Sequence, residues 1–230
     1  MPYPLIFREK SPLVGPVGAV HFYHMTCSVN HLTERWNLLG RQLGLSFAES
    51  TFNELVAAYD RPPRAYHNLA HIADCLKQLD QCGAKAPLVE FALWWHDAVY
   101  DSKATNGENE RASAELAVHC LEEAGADQSV CQAVQRLILV TRHDMPPESK
   151  DEEWMVDIDL SILGREPEVF AVYDTAIRDE YSWVPEEQYE IARRKVLAGF
   201  LERPRLFHTG YFHQRYEEAA RRNLKERVNR

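Results

Sequence analysis

The sequence predicts an all-α protein, a bundle of roughly nine or ten helices. Three observations carry that expectation. From Asn30 onward, apolar residues recur at spacings of three and four. Glycines and prolines punctuate these periodic segments, where they stop and start helices. No run alternates apolar and polar residues with period two for long enough to make a strand.

Residues 1–24 hold four prolines and two glycines without a helical period, and are expected to be an extended or disordered leader. Their His21 and His24 are given no role. One helical domain is expected over 25–230. Its first helix covers His31–Leu43, with Leu32, Trp36, Leu39 and Leu43 on one face. A second covers Ser50–Tyr59, ended by Pro62 and Pro63. A third runs from about Tyr66 to Gln81 with Leu69, Ile72, Leu76 and Leu79 as its stripe and Gly83 as its stop. On it His67 and His71, four apart, should share a face. Pro87 opens a fourth helix, apolar nearly all round and therefore the most buried, which carries His96 and Asp97.

A polar loop over 101–108 precedes helices at Asn109–Ala124, closed by Gly125, and Asp127–Arg142, broken by Pro146 and Pro147. Residues 151–163 form a helix ended by Gly164. Pro167 starts the next, up to Tyr181, and Pro185 another, up to Glu202. An aromatic patch (Phe207, Tyr211, Phe212) leads into a charged last helix. Its run Arg215–Arg230 mixes signs and reads as solvated or as facing a second copy in a homo-oligomer.

At 45% hydrophobic and 27% charged, the composition is that of a soluble globular protein. Against 35 Asp and Glu stand 26 Lys and Arg, a net charge of −9, so no nucleic-acid polymer is expected as a partner. A small phosphorylated substrate is compatible with that charge, since a bound cation can dominate the local field. No apolar run approaches the roughly 20 residues of a membrane-spanning helix. There is no convincing secretory signal. The five cysteines (Cys27, Cys75, Cys82, Cys120, Cys131) show no CxxC spacing and read as reduced, buried, inert thiols, which suits a cytoplasmic protein.

The chemistry-bearing residues gather between Arg64 and Asp101. Imidazole and carboxylate donors suit divalent metals, here Mn, Co, Mg, Ni, Zn or Fe. His71, His96 and Asp97 are expected to converge on one ion, with a later acid completing the set. WMVDIDLSILG offers two, Asp157 and Asp159, which diverge on a helix, so only one can face a shared centre. Asp159, beside Leu160 and Leu163, is the better ligand, leaving Asp157 to the surroundings or the surface. The plainer alternative makes His96 a hydrogen-bonded core histidine and Asp97 a helix cap or a partner of Arg111.

The order His71, His96-Asp97, Asp159 on an all-α chain resembles the HD superfamily of metal-dependent phosphohydrolases, over about residues 64–164. The fuller pattern RxYHNxxHI, WHDxVYD, NExxSA, DxDLSILG and IRxEY is similar to a bacterial group of predicted HD-type phosphohydrolases. Tyr66 to His71 also resembles the YHNxxH of cyclic-nucleotide phosphodiesterases, although Ala98-Val99-Tyr100 replaces the His-Pro-Gly expected there, which argues against a cyclic nucleotide. The resemblance implies an HD-like bundle, with a metal-site core over 64–164 and C-terminal helices over 165–230. It implies His71, His96, Asp97 and Asp159 as ligands, Asp97 as the group able to bridge to a second ion, His67 as a general acid and Glu110 as a water-orienting acid. The substrate would be a small phosphorylated compound such as a nucleotide. Lys103, His143, Arg178, Tyr181 and Arg193 are candidates for contacting its phosphate, each against the plainer reading of a surface ion pair. Two other functions are weighed: an HD-fold di-iron oxygenase, needing extra ligands from His119 and His143, and a non-catalytic HD module. His119 is otherwise expected to be a packed histidine.

Overall fold

The structure, a computed structural model, describes residues 29–230; the leader expected over 1–24 and Cys27 lie outside the described residues. Among the described residues there are ten α-helices and no strand. They are α1 (Val29–Leu43), α2 (Glu49–Tyr59), α3 (Leu69–Cys82), α4 (Pro87–Trp95), α5 (Glu108–Glu123), α6 (Gln128–Leu139), α7 (Lys150–Asp159), α8 (Pro167–Glu180), α9 (Glu186–Glu202) and α10 (Gly210–Val228). Short 3-10 turns follow α6 at Val140–Arg142 and α7 at Leu160–Gly164. None of these helices is long and apolar enough to cross a membrane.

The element in the middle is α4. Pro87 opens it, and Val89, Phe91, Ala92, Leu93 and Trp94 are all fully buried. Helices α1, α3, α5, α6 and α7 pack around it. Each large apolar side chain so buried contributes roughly 1.5–3 kcal/mol, which anchors α4 firmly enough to carry ionisable groups at its C-terminal end. Trp36 of α1 stacks on Phe91 and meets Trp94 edge-on, and Tyr59 at the end of α2 donates to the Trp94 carbonyl at 2.9 Å.

The C-terminal helices brace this core from behind. Asp157, fully buried, accepts the backbone N–H groups of His208 and Thr209 at 2.7 Å each, and Thr209 caps α10. It therefore seats the start of the last helix, a role the sequence reading did not give it. Where α10 crosses the turn after α7, a Cβ on Gly164 would lie 2.5 Å from the Tyr216 Cβ and 2.7 Å from its carbonyl oxygen, so only glycine fits. Asn223 donates to the carbonyls of Leu163 and Arg165 across the same contact.

The last helix begins at Gly210, ahead of the charged run, and is not simply solvated. It buries Phe212, Tyr216, Ala220, Asn223, Leu224 and Arg227 along one face. Arg227 reaches Asp174 of α8 and both oxygens of Glu190 of α9, and Arg193 meets the other oxygen of Asp174 at 2.9 Å.

Candidate metal centre

The stretch before α3 is not helical, contrary to the expected start near Tyr66. Asn68 caps the helix, its side-chain oxygen accepting the amides of Ala70 and His71. His67 thus stands in the turn ahead of the cap, and the shared helix face for His67 and His71 does not exist. The rings are neighbours all the same, 6.2 Å apart between centroids. Likewise α4 stops at Trp95; His96 is its C-cap and Asp97 lies in the following turn. Arg64 clamps these two turns together, donating to the carbonyls of His67 at 2.9 Å, Asp97 at 2.6 Å and Ala98 at 2.9 Å.

Four side chains from the ends of α3, α4 and α7 meet. The Nε2 atoms of His71 and His96 are 3.2 Å apart. Asp97 Oδ2 lies 3.5 Å from His71 Nε2 and 3.1 Å from His96 Nε2. Asp159 Oδ1, from the last residue of α7, lies 3.3 Å from His71 Nε2 and 3.6 Å from His96 Nε2. Donors bound to one ion at about 2.0–2.2 Å are themselves about 2.9–3.5 Å apart at octahedral to tetrahedral angles, so this spacing suits a shared cation. His96 Nδ1 faces the Leu93 carbonyl at 3.0 Å and so carries the proton, which turns the Nε2 lone pair inward. Two imidazole nitrogens face each other among carboxylate oxygens, and no pattern of single protons serves every contact at once. A cation does.

The electrostatics point the same way. Burial works against charge on both acids, yet the surrounding histidines outweigh it and hold Asp97 and Asp159 well below the usual carboxylate range. Burial likewise opposes charge on His96, but Asp97 and Asp159 outweigh it and push its pKa well up. The cluster attracts positive charge.

Two further groups adjoin it. His143, with its backbone in the left-handed region at φ 56°, sets Nε2 2.9 Å from Asp159 Oδ2. It is a partner of a candidate ligand, not the free substrate contact expected. Cys75, one turn beyond His71 on α3, puts Sγ 3.7 Å from His71 Nε2. The sequence reading set it aside as inert.

His67 is held from the other side. Its Nδ1 lies 2.6 Å from Glu180 Oε2, its backbone N–H and that of Tyr66 donate to Glu180 Oε1 at 2.9 and 2.7 Å, and its ring stacks on Tyr100. Tyr100 in turn donates to Glu180 Oε2 at 2.8 Å. Burial lowers the pKa of His67, but Asp97 and the Glu180 hydrogen bond raise it further, for a net rise. Glu180, 1% exposed, is lowered: burial opposes this, and the bonds from His67 outweigh it. Arg64, Tyr100 and Glu180 stand inside the sequence motifs RxYHNxxHI, WHDxVYD and IRxEY but receive no role from sequence alone. A signal for Glu180 was present, since it sits three residues after buried Ile177 on the inward face of α8.

The remaining candidates fall elsewhere. Glu110 is half-buried in the first turn of α5 and makes no hydrogen bond among the described residues, although its charge is felt by Tyr181. Tyr181 stacks on Trp183, which donates to Ser102; exposed Lys103 lies 5.7 Å over the Trp183 ring. Arg178 braces the turn after α8, bonding the Tyr181 and Val184 carbonyls and Glu186. Arg193 bonds Asp174 through Nε and lies over the Tyr173 ring, while its Nη2 is buried without a hydrogen-bond partner among the described residues. His119 is neither packed nor near the centre, its side chain 68% exposed beside Glu123, so the ligand the oxygenase reading needed from it is missing. Asp97 does not pair with Arg111, which donates to the Asn106 carbonyl. Comparison with protein-family models, curated proteins and solved structures found no match.

Proposed function

We propose that this protein is a metal-dependent phosphohydrolase acting on a small phosphorylated compound such as a nucleotide. The reading rests on one observation above all: the Nε2 atoms of His71 and His96 lie 3.2 Å apart and each is 3.1–3.6 Å from an oxygen of Asp97 and of Asp159, with the Glu180-held imidazole of His67 alongside. These four residues would hold a divalent ion. When bound, such an ion lowers the pKa of a water toward neutrality and polarises a phosphoryl oxygen.

The chain's own groups supply the rest. Glu180 takes the Nδ1 proton of His67 in a hydrogen bond, which fixes the ring and leaves Nε2 for the substrate. A general acid must be protonated before it gives its Nε2 proton to the leaving oxygen, and the Glu180 carboxylate on Nδ1 favours that state. Tyr100 stacks flat against that ring and restrains its tilt. His143 steadies the outer oxygen of Asp159. The likeness of Tyr66 to His71 to the phosphodiesterase YHNxxH supports the same division of labour.

Assaying phosphate esters and nucleotides with Mn, Co, Mg, Ni, Zn and Fe, beside Asp97→Ala, tests the proposal. Metal-dependent release of phosphate that Asp97→Ala abolishes is the expected result. Turnover undiminished in that variant would sink it.

A further inference from the structure

We propose that Cys75 gives the centre a second, softer ligand set, His71–Cys75–Asp159, which takes a thiophilic divalent ion such as zinc or cadmium in place of a harder one. The inference rests on the metal centre argued above. One potential ligand atom each from His71, Cys75 and Asp159 lie within 4.8 Å of one another, and the same holds for His71, His96 and Asp97. Cys75 is 2% exposed, and its Sγ has no partner among the described residues except the His71 ring, at 3.8 Å from Nδ1 and 3.7 Å from Nε2.

The placement follows from α3. Residues four apart on a helix sit one above the other, so a ligand at His71 puts Cys75 against the same cleft. Asp159 closes the triangle from α7. Because His71 belongs to both groups, an ion in one competes with an ion in the other, and the ion's preference decides which donors it gathers. Manganese and magnesium favour oxygen, whereas zinc and cadmium accept thiolate readily. On binding, the thiol S–H gives its proton to solvent as the sulfur–metal bond forms. The other described cysteines are placed differently: Cys82 donates to the Leu79 carbonyl, and Cys120 and Cys131 are buried on α5 and α6.

X-ray absorption at the zinc edge tests this on the full chain loaded with one equivalent of zinc. A sulfur neighbour at about 2.3 Å is expected in the wild type. It should vanish in Cys75→Ser and Cys75→Ala, while manganese binding is unchanged in both variants. Zinc affinity should fall at least by the roughly 10- to 100-fold that loss of an outer-shell partner costs. A wild-type zinc shell of nitrogen and oxygen alone overturns the inference, as does a sulfur signal that persists without Cys75. The wild-type spectrum decides even if a variant fails to fold. Failure to bind either zinc or manganese would remove the centre itself, an outcome distinct from zinc bound without sulfur.

Discussion

Two buried clusters of charge stand in this molecule, and they are built on opposite terms. Behind α10, Asp174 and Glu190 each face a guanidinium, from Arg193 and Arg227. At the ends of α3, α4 and α7, Asp97 and Asp159 face only imidazoles. Arginine is always charged, so the first cluster is neutralised within the chain. Imidazole binds metals in its neutral form, so the second balances its charge only by taking up protons or a cation. Partly buried acids paired with guanidinium groups do not mark a site; acids gathered against imidazoles alone do.

Removing an acid from each cluster should separate the two most sharply. Asp159→Ala is expected to abolish both metal binding and turnover, with helix content retained by circular dichroism. Asp174→Ala should leave metal binding intact but lower stability by about 3–5 kcal/mol in chemical denaturation, because it strips the buried Arg193 guanidinium of its carboxylate while Arg227 keeps Glu190. Metal binding retained in Asp159→Ala would erase the distinction.

Next in size is His67→Ala, expected to slow turnover by about 10²–10⁴-fold with the bound metal unchanged, as a general acid outside the ligand set should. A parallel loss of metal would make His67 a ligand instead. Glu180→Gln should cost about 10–100-fold, as loss of a partner that orients a functional histidine does. Imidazole NMR should then find the pKa of His67 lower than in the wild type.

The same pair gives a pH dependence to stability. Glu180 has its folded pKa below its ordinary 4.5, so its contribution is present above that value and is lost as pH falls through the depressed one. His67 has its folded pKa above 6.5, so its contribution is full below 6.5 and lost as pH rises through the raised value. Denaturation midpoints across both windows should flatten in Glu180→Gln. Smallest of all is His119→Ala, on the open face of α5, which should change stability by no more than about 0.5 kcal/mol and leave metal content alone.

The helical architecture was legible because apolar stripes such as Leu32, Trp36 and Leu39 announce a period and a face together. That Asp157 and Asp159 face different ways was legible for the same reason, since residues two apart on a helix diverge. The start of α3 was misplaced because the stripe was followed and the cap chemistry of Asn68 was not. The motif and the inward face of α8 mark Glu180, but its pairing with His67, 113 residues away, leaves no trace in the sequence. Arg193 and Arg178 looked like phosphate contacts since a guanidinium in sequence carries no sign of which carboxylate or carbonyl already occupies it. Cys75 became visible as a donor only once α7 brought Asp159 against α3.

The guanidinium of Arg64 carries one last consequence. It grips the main chain at His67 with the same group that grips it at Asp97 and Ala98. The residues proposed as proton donor and as cation ligand, His67 and Asp97, are therefore mounted on a single bracket. Loosening that bracket would not wear the two parts separately; both would drift out of register in the same motion.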